Sequence, residues 1–135
     1  MFSPFGARSV STYQQVGVQS VVSEASPHEL IKMLFDGLLQ SLNTATSALE
    51  RGDIEEKIRQ ITKSVRILQE GLMMGLDMEK GGELAENLLA LYDYCVVCLT
   101  QANARNDVAK IEEVIKLIEP VANSWASIAP GHASA

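Results

Sequence analysis

Between Ile54 and Leu72 a large aliphatic residue recurs at every third or fourth position: Ile54, Ile58, Ile61, Val65, Leu68 and Leu72. That period winds a single apolar stripe along an α-helix and does not fit a strand, whose period is two. Steps alternating between four and three hold such a stripe against a neighbour crossing at a shallow angle, the geometry of helical bundles. The remaining chain must supply the neighbours.

Three further helices are legible from their ends. Ser26-Pro27-His28-Glu29 combines a capping serine, a proline suited to the first helical position and a glutamate able to reach back to the cap. The helix it opens runs to about Glu50, with Leu30, Leu34, Leu38, Ala45 and Leu49 inward, and Gly52 suits a left-handed stop. Asp53-Ile54-Glu55-Glu56 caps the second helix. A third is expected from about Gly82 to Arg105-Asn106, and Asp107 caps a fourth that reaches about Ile128. Pro120 lies inside that last pattern, where a kink or local weakening is expected, because the apolar period resumes at once. Short links favour antiparallel neighbours. The expected fold is therefore all-α: an up-down-up-down four-helix bundle over residues 26–129, with an N-terminal arm at 1–25 and a tail at 130–135.

The 135 residues suffice for one domain with a core of its own. A formal charge of -6 disfavours nucleic acid and anionic membrane as partners. Apolar runs are too short for a transmembrane span, and Met1 to Val22 is too interrupted by Ser, Thr, Gln and Gly to read as a signal peptide. The cytosol is the expected compartment, and two cysteines three apart within a helix suit it.

The third helix is more apolar than one packed face requires. Leu84, Leu88, Leu91, Cys95, Cys98, Leu99 and Ala102 form a core stripe, and Leu89, Tyr92 and Val96 form a second beside it. Together they span roughly 200° of the helix, against the ~100° of a single packed face. The fourth helix is also double: Val108, Ile111, Ile115, Ile118, Ala122 and Trp125 are flanked by Val114, Leu117, Val121 and Ile128. On the second helix Ile67, Gly71 and Met74 point away from the main stripe. A surplus of this kind is covered by a binding partner, by the apolar N-terminal arm or by a second copy. The row Arg59, Lys63 and Arg66 reads as a solvated face with ion pairs at helical spacing.

Catalytic and metal chemistry finds no support. Cys95-Val96-Val97-Cys98 is one CxxC in mid-helix without a second pair, and His28 and His132 have no local partner ligands. Lys80-Gly81-Gly82-Glu83 lacks the ending of a phosphate-binding loop. No cofactor, metal site or catalytic residue is expected.

The first helix reads Ser26-Pro27-His28-Glu29-Leu30 and then Met33-Leu34-Phe35-Asp36-Gly37. Further along stand Leu76-Asp77 with Gly81-Gly82, then Asn87-Leu88, Leu91-Tyr92-Asp93-Tyr94, Leu99, Ala102-Asn103, Asn106-Asp107 and Trp125, while Tyr13-Gln14-Gln15 lies in the arm. In this order the motifs resemble those of the flagellar secretion chaperones (the FliS family) over about residues 10 to 128. Phe35 stands where that family usually has tyrosine, and Cys95-Val96-Val97-Cys98 is more apolar than its usual counterpart.

The resemblance implies a cytosolic chaperone, not an enzyme, that binds the C-terminal segment of flagellin in apolar grooves. It would block premature polymerisation and hand its cargo to a component of the membrane-embedded export gate. The groove is expected at Leu89, Tyr92 and Val96 on the third helix, Ile67, Gly71 and Met74 on the second, and Val114, Leu117 and Val121 on the fourth. The resemblance also implies that the arm caps part of the groove through Tyr13, with Val16 beside it, until flagellin displaces it. The alternatives are a homodimeric helical adaptor and, from another class, a small all-α enzyme.

Overall fold

The computed structural model describes residues 25–128, which form an all-α bundle. Helix α1 spans Pro27–Glu50, α2 Ile54–Arg66, α3 Met78–Arg105 and α4 Val108–Ser127. A π-helical segment, Ile67–Met73, extends α2 without a break.

The ends form as the local chemistry dictates. Ser26 Oγ accepts from the Glu29 N–H at 3.1 Å, and Asp53 Oδ1 accepts from the Glu56 N–H at 3.2 Å. Gly52 adopts φ 74°, the left-handed stop expected of it. Asn106 ends α3 at φ 52°, and Asp107 Oδ1 then accepts from the Ala109 N–H at 3.1 Å. Helix α4 continues through Pro120 to Ser127. The start of α3 differs from expectation. Asp77 caps the Lys80 N–H at 3.0 Å, so the helix begins at Met78, and Gly82 breaks the regular backbone at φ 50°, ψ -130°.

Cross-contacts show the antiparallel arrangement of neighbouring helices. Gly37 faces Ile67 and Gly71 faces Leu34, so α1 and the α2 extension run in opposite directions. Lys57 at the start of α2 meets Asn103 at the end of α3. His28 at the start of α1 meets Trp125 at the end of α4.

That last contact ties the first helix to the last. His28 Nε2 donates to the Trp125 carbonyl at 2.9 Å, and Trp125 Nε1 donates back to the His28 carbonyl at 3.0 Å. The two rings stack with centroids 5.0 Å apart. Both residues are buried, so each hydrogen bond satisfies a group that water cannot reach. His28 thus gains a structural role that its sequence position did not reveal.

The core runs along α1 through Leu30, Leu34, Phe35, Leu38, Leu42 and Ala45. Helix α3 packs on it through Ala85, Leu88, Tyr92, Cys95, Leu99 and Ala102, again in alternating steps of three and four. The α3 core face is therefore turned from the expected one: Tyr92 lies in it, whereas Leu84 is 54% exposed.

Helix α2 is turned as well. The expected stripe contributes Ile61, Leu68 and Leu72 to the interior, but Ile54 and Ile58 are exposed, at 41% and 45%. Lys57, Ser64, Ile67 and Gly71 lie inside instead. The rotation is roughly 60° about the helix axis, reckoned at 3.6 residues per turn. Lys57, Ser64 and Gly71 sit seven apart on this inward face, and at Gly71 the chain comes close against α1. A Cβ on Gly71 would lie 3.0 Å from Leu34 Cδ2, tighter than ordinary van der Waals contact.

Candidate partner-binding grooves

Turning α2 inward on its small face leaves its aliphatic edge outside. Between that edge and the end of α3 lies an open groove of about 540 Å³, walled by Ile58, Ile61, Thr62, Val65 and Arg66 from α2 and by Thr100, Asn103 and Ala104 from α3. Val97, 52% exposed, continues the α3 wall one turn back. Two of its polar residues, Thr100 and Arg66, are already engaged. Thr100 Oγ1 donates to the Val96 carbonyl at 2.8 Å, and Arg66 Nε donates to Glu70 at 3.1 Å. What the groove offers is mainly aliphatic surface.

Beneath its α3 end lies Lys57, only 2% exposed. Its Nζ donates to the Asn103 main-chain carbonyl and to Asn103 Oδ1, both at 2.9 Å. The ammonium thereby satisfies a carbonyl in the last turn of α3, where the helix dipole is negative and carbonyls lack helical partners. Arg59, Glu56, Arg66 and Glu70 form ion pairs along the outer side of α2, with Arg59–Glu56 at 2.9 Å and Arg66–Glu70 at 3.1 Å. Arg59 holds the Glu56 carboxyl below its usual range through that hydrogen bond, with the Gln60 amide adding to it. Of the basic row, Arg59 and Arg66 are thus paired on the solvated face.

A second, smaller cavity of about 320 Å³ lies at the other end of the bundle, lined by Phe35, Leu84, Leu88, Pro120, Val121, Ser124, Trp125 and Ile128. Trp125 forms part of its wall and part of the latch to His28, so this cavity is coupled to the α1–α4 contact.

The residues expected to line the groove divide into three sets. Leu89, Val96, Leu117 and Val121 are half-buried against the core, and Met74 is 41% exposed. Ile67, Tyr92 and Val114 are wholly buried, and Gly71 is packed on Leu34, so these four offer no surface to a partner. This corrects the expectation, which assumed that the widest aliphatic stripe of each helix faces inward; the small-residue face of α2 and the Tyr92 face of α3 do so instead. Tyr13 and Val16 lie outside the described residues. Sequence reasoning missed Ile58, Thr100, Asn103 and Lys57 as site residues, and the signal for α2 was the spacing of Lys57, Ser64 and Gly71.

Burial explains the remaining chemistry of α3. Cys95 and Cys98 are free and buried, and burial pushes the Cys95 thiol up to about 12, so it carries no thiolate near neutral pH. Burial likewise drives the Tyr92 hydroxyl well above its usual range, and that oxygen has no hydrogen-bond partner. An unpaired buried hydroxyl costs stability. Tyr92→Phe is therefore expected to raise the unfolding free energy by about 1 kcal/mol, and urea denaturation followed by circular dichroism checks it. A loss of comparable size would mean that the hydroxyl is paired in solution. On the outer side, the exposed Tyr94 hydroxyl donates to the Glu113 carboxylate, joining α3 to α4. That bond raises the Tyr94 hydroxyl and lowers the Glu113 carboxyl relative to their usual ranges.

Among the described residues no group of three His, Cys, Asp or Glu side chains is placed to hold a metal ion, and no helix is long and apolar enough to cross a membrane. Among the described residues the fold is thus an all-helical bundle with two open apolar grooves, an architecture suited to holding a polypeptide segment. The comparisons with known proteins agree. The family model described as flagellar protein FliS matches residues 9–132. The flagellar secretion chaperone FliS of Salmonella typhimurium is 48% identical over 126 residues, 93% of each chain. Its Escherichia coli namesake is 40% identical over 121 residues, covering 90% of this chain and 89% of its own. That of Bacillus subtilis is 33% identical over 107 residues, covering 79% and 78%. The chain belongs to the FliS family of flagellar secretion chaperones, whose named members are chaperones and not enzymes.

Proposed function

We propose that this chain binds the C-terminal segment of flagellin in the cytosol, holds it back from polymerising and presents it to the flagellar export gate. The observation that carries this reading is the open groove between α2 and α3, whose aliphatic wall includes Ile58 and Val65. A segment that is disordered when free loses conformational entropy on binding, and apolar contact along a groove of this kind offsets that loss. Leu89, Val96, Leu117, Val121 and Met74 extend the contact where the segment continues over the bundle.

The arm is the proposed occupant of the smaller cavity in the free protein. It enters α1 at Ala25, beside the His28–Trp125 latch whose tryptophan lines that cavity. Tyr13 and Val16 then cover apolar surface until cargo displaces them.

Calorimetry with the C-terminal segment of flagellin, combined with light scattering, tests this reading. A monomer that takes up one segment is the expected result. Deleting residues 1–15 is expected to raise the affinity several-fold, and a weaker complex would reverse the role given to the arm. A stable homodimer that takes up no flagellin would instead establish the groove as a contact between copies.

A further inference from the structure

We infer that Asn103 is the hydrogen-bonding anchor of the α2–α3 groove, aimed by Lys57 so that its carboxamide N–H meets a main-chain carbonyl of the bound segment. This rests on the groove being the flagellin site.

The argument starts from the ammonium. Lys57 Nζ has donors and no acceptor, and it lies 2.9 Å from Asn103 Oδ1. The oxygen of the Asn103 amide must therefore face Lys57, which settles the orientation of the whole group. Its Nδ2 is left facing away, on a residue that lines the groove, and it donates to nothing among the described residues.

The donors left in the groove point to the same occupant. Lys57 has no carboxylate within ion-pair distance among the described residues; its acceptors are two neutral oxygens of Asn103. Arg66, the other cation at the groove, is paired with Glu70. Thr100 has spent its hydroxyl proton on Val96, leaving the mobile Thr62 hydroxyl and the oriented Asn103 amide as the groove's open donors. This end of the groove thus offers donors. It fits an acceptor, and every polypeptide carries one per residue in its main chain. Aliphatic side chains alone laid over Asn103 would bury the amide unpaired. The carbonyl over Asn103 therefore sets the register, while side chains on the Ile58–Val65 wall supply the contact area.

Three variants and one signal test this with the flagellin segment as probe. Asn103→Asp keeps an acceptor for Lys57, so thermal stability is expected to hold or rise. It also replaces the donor by an anion facing a carbonyl, and affinity is expected to fall at least about tenfold. In the native chain the Asn103 side-chain amide protons are expected to shift downfield in NMR on binding. Lys57→Met, which leaves the amide free to turn, is expected to lose that shift. Ile58→Asp serves as the groove control. Native affinity in Asn103→Asp alongside a defective Ile58→Asp overturns the anchor alone, as does an unshifted amide signal in the native complex. Native affinity in Ile58→Asp places the segment elsewhere and overturns the groove reading itself. A segment with an amidated C-terminus is expected to bind as the free acid does, and a marked loss would assign the acceptor to the terminal carboxylate and overturn the main-chain assignment.

Discussion

Ile58→Asp is expected to weaken capture of the flagellin segment by about a hundredfold, the equivalent of about 3 kcal/mol, while the helix content of the free protein stays unchanged. The side chain is 45% exposed, so an aspartate there remains hydrated in the free chain. In the complex the same carboxylate is driven out of water against the aliphatic side chains of the groove wall. Desolvating an unpaired charge is what makes the loss large. Calorimetry alongside circular dichroism decides the matter: native affinity with native helicity removes Ile58 from the site. Leu89→Asp and Val96→Asp weaken binding less selectively, since both side chains also pack on the core and their replacement costs stability.

Trp125→Ala is expected to lower the unfolding free energy by about 4 kcal/mol, in the range for truncating a buried large aromatic. Trp125 is 4% exposed, stacks on His28 and donates its indole N–H to the His28 carbonyl. Alanine removes the packing, leaves that carbonyl without its partner and enlarges the cavity at this end of the bundle. Trp125→Phe retains most of the apolar contact and is expected to cost about 1–2 kcal/mol, the share of the lost hydrogen bond. Because Trp125 is the only tryptophan, the denaturation curves are read by circular dichroism. A loss below about 1 kcal/mol for the alanine variant would show that the latch does not hold α1 to α4, since core aromatic truncations run well above that.

Which residues cap, stop and fill the helices is written locally. Ser26, Asp53 and Asp107 hydrogen-bond backbone N–H groups within three residues of themselves, and Gly52 needs only its own positive φ. Such interactions do not depend on distant chain, so their sequence signals survive folding intact. The start of α3 was less legible, because Asp77 and Gly82 offer competing signals a few residues apart, and the structure uses both: one begins the helix and the other breaks its regularity.

Which helix face points inward is a different kind of information. On α2 the aliphatic series Ile54, Ile58, Ile61 and Val65 and the series Lys57, Ile61, Ser64 and Leu68 share one residue and lie side by side. Hydrophobicity favours the first, and closeness of approach to α1 selects the second. A buried lysine on that face is acceptable only because Asn103, 46 residues away in sequence, supplies two acceptors. The groove is a product of the same choice: had the aliphatic edge turned inward, Ile58 would be core and no open wall would remain.

The sequence by itself determined four helices, three of them with their N-caps, a shared apolar interior and the family motifs, because helix ends and periodicity are short-range chemistry. The tertiary structure alone decided the rotation of α2 and α3, the His28–Trp125 latch and the residues left open in the groove. Those depend on how tightly two helices can approach and on hydrogen-bond partners brought together from opposite ends of the chain, and neither is encoded within any one segment.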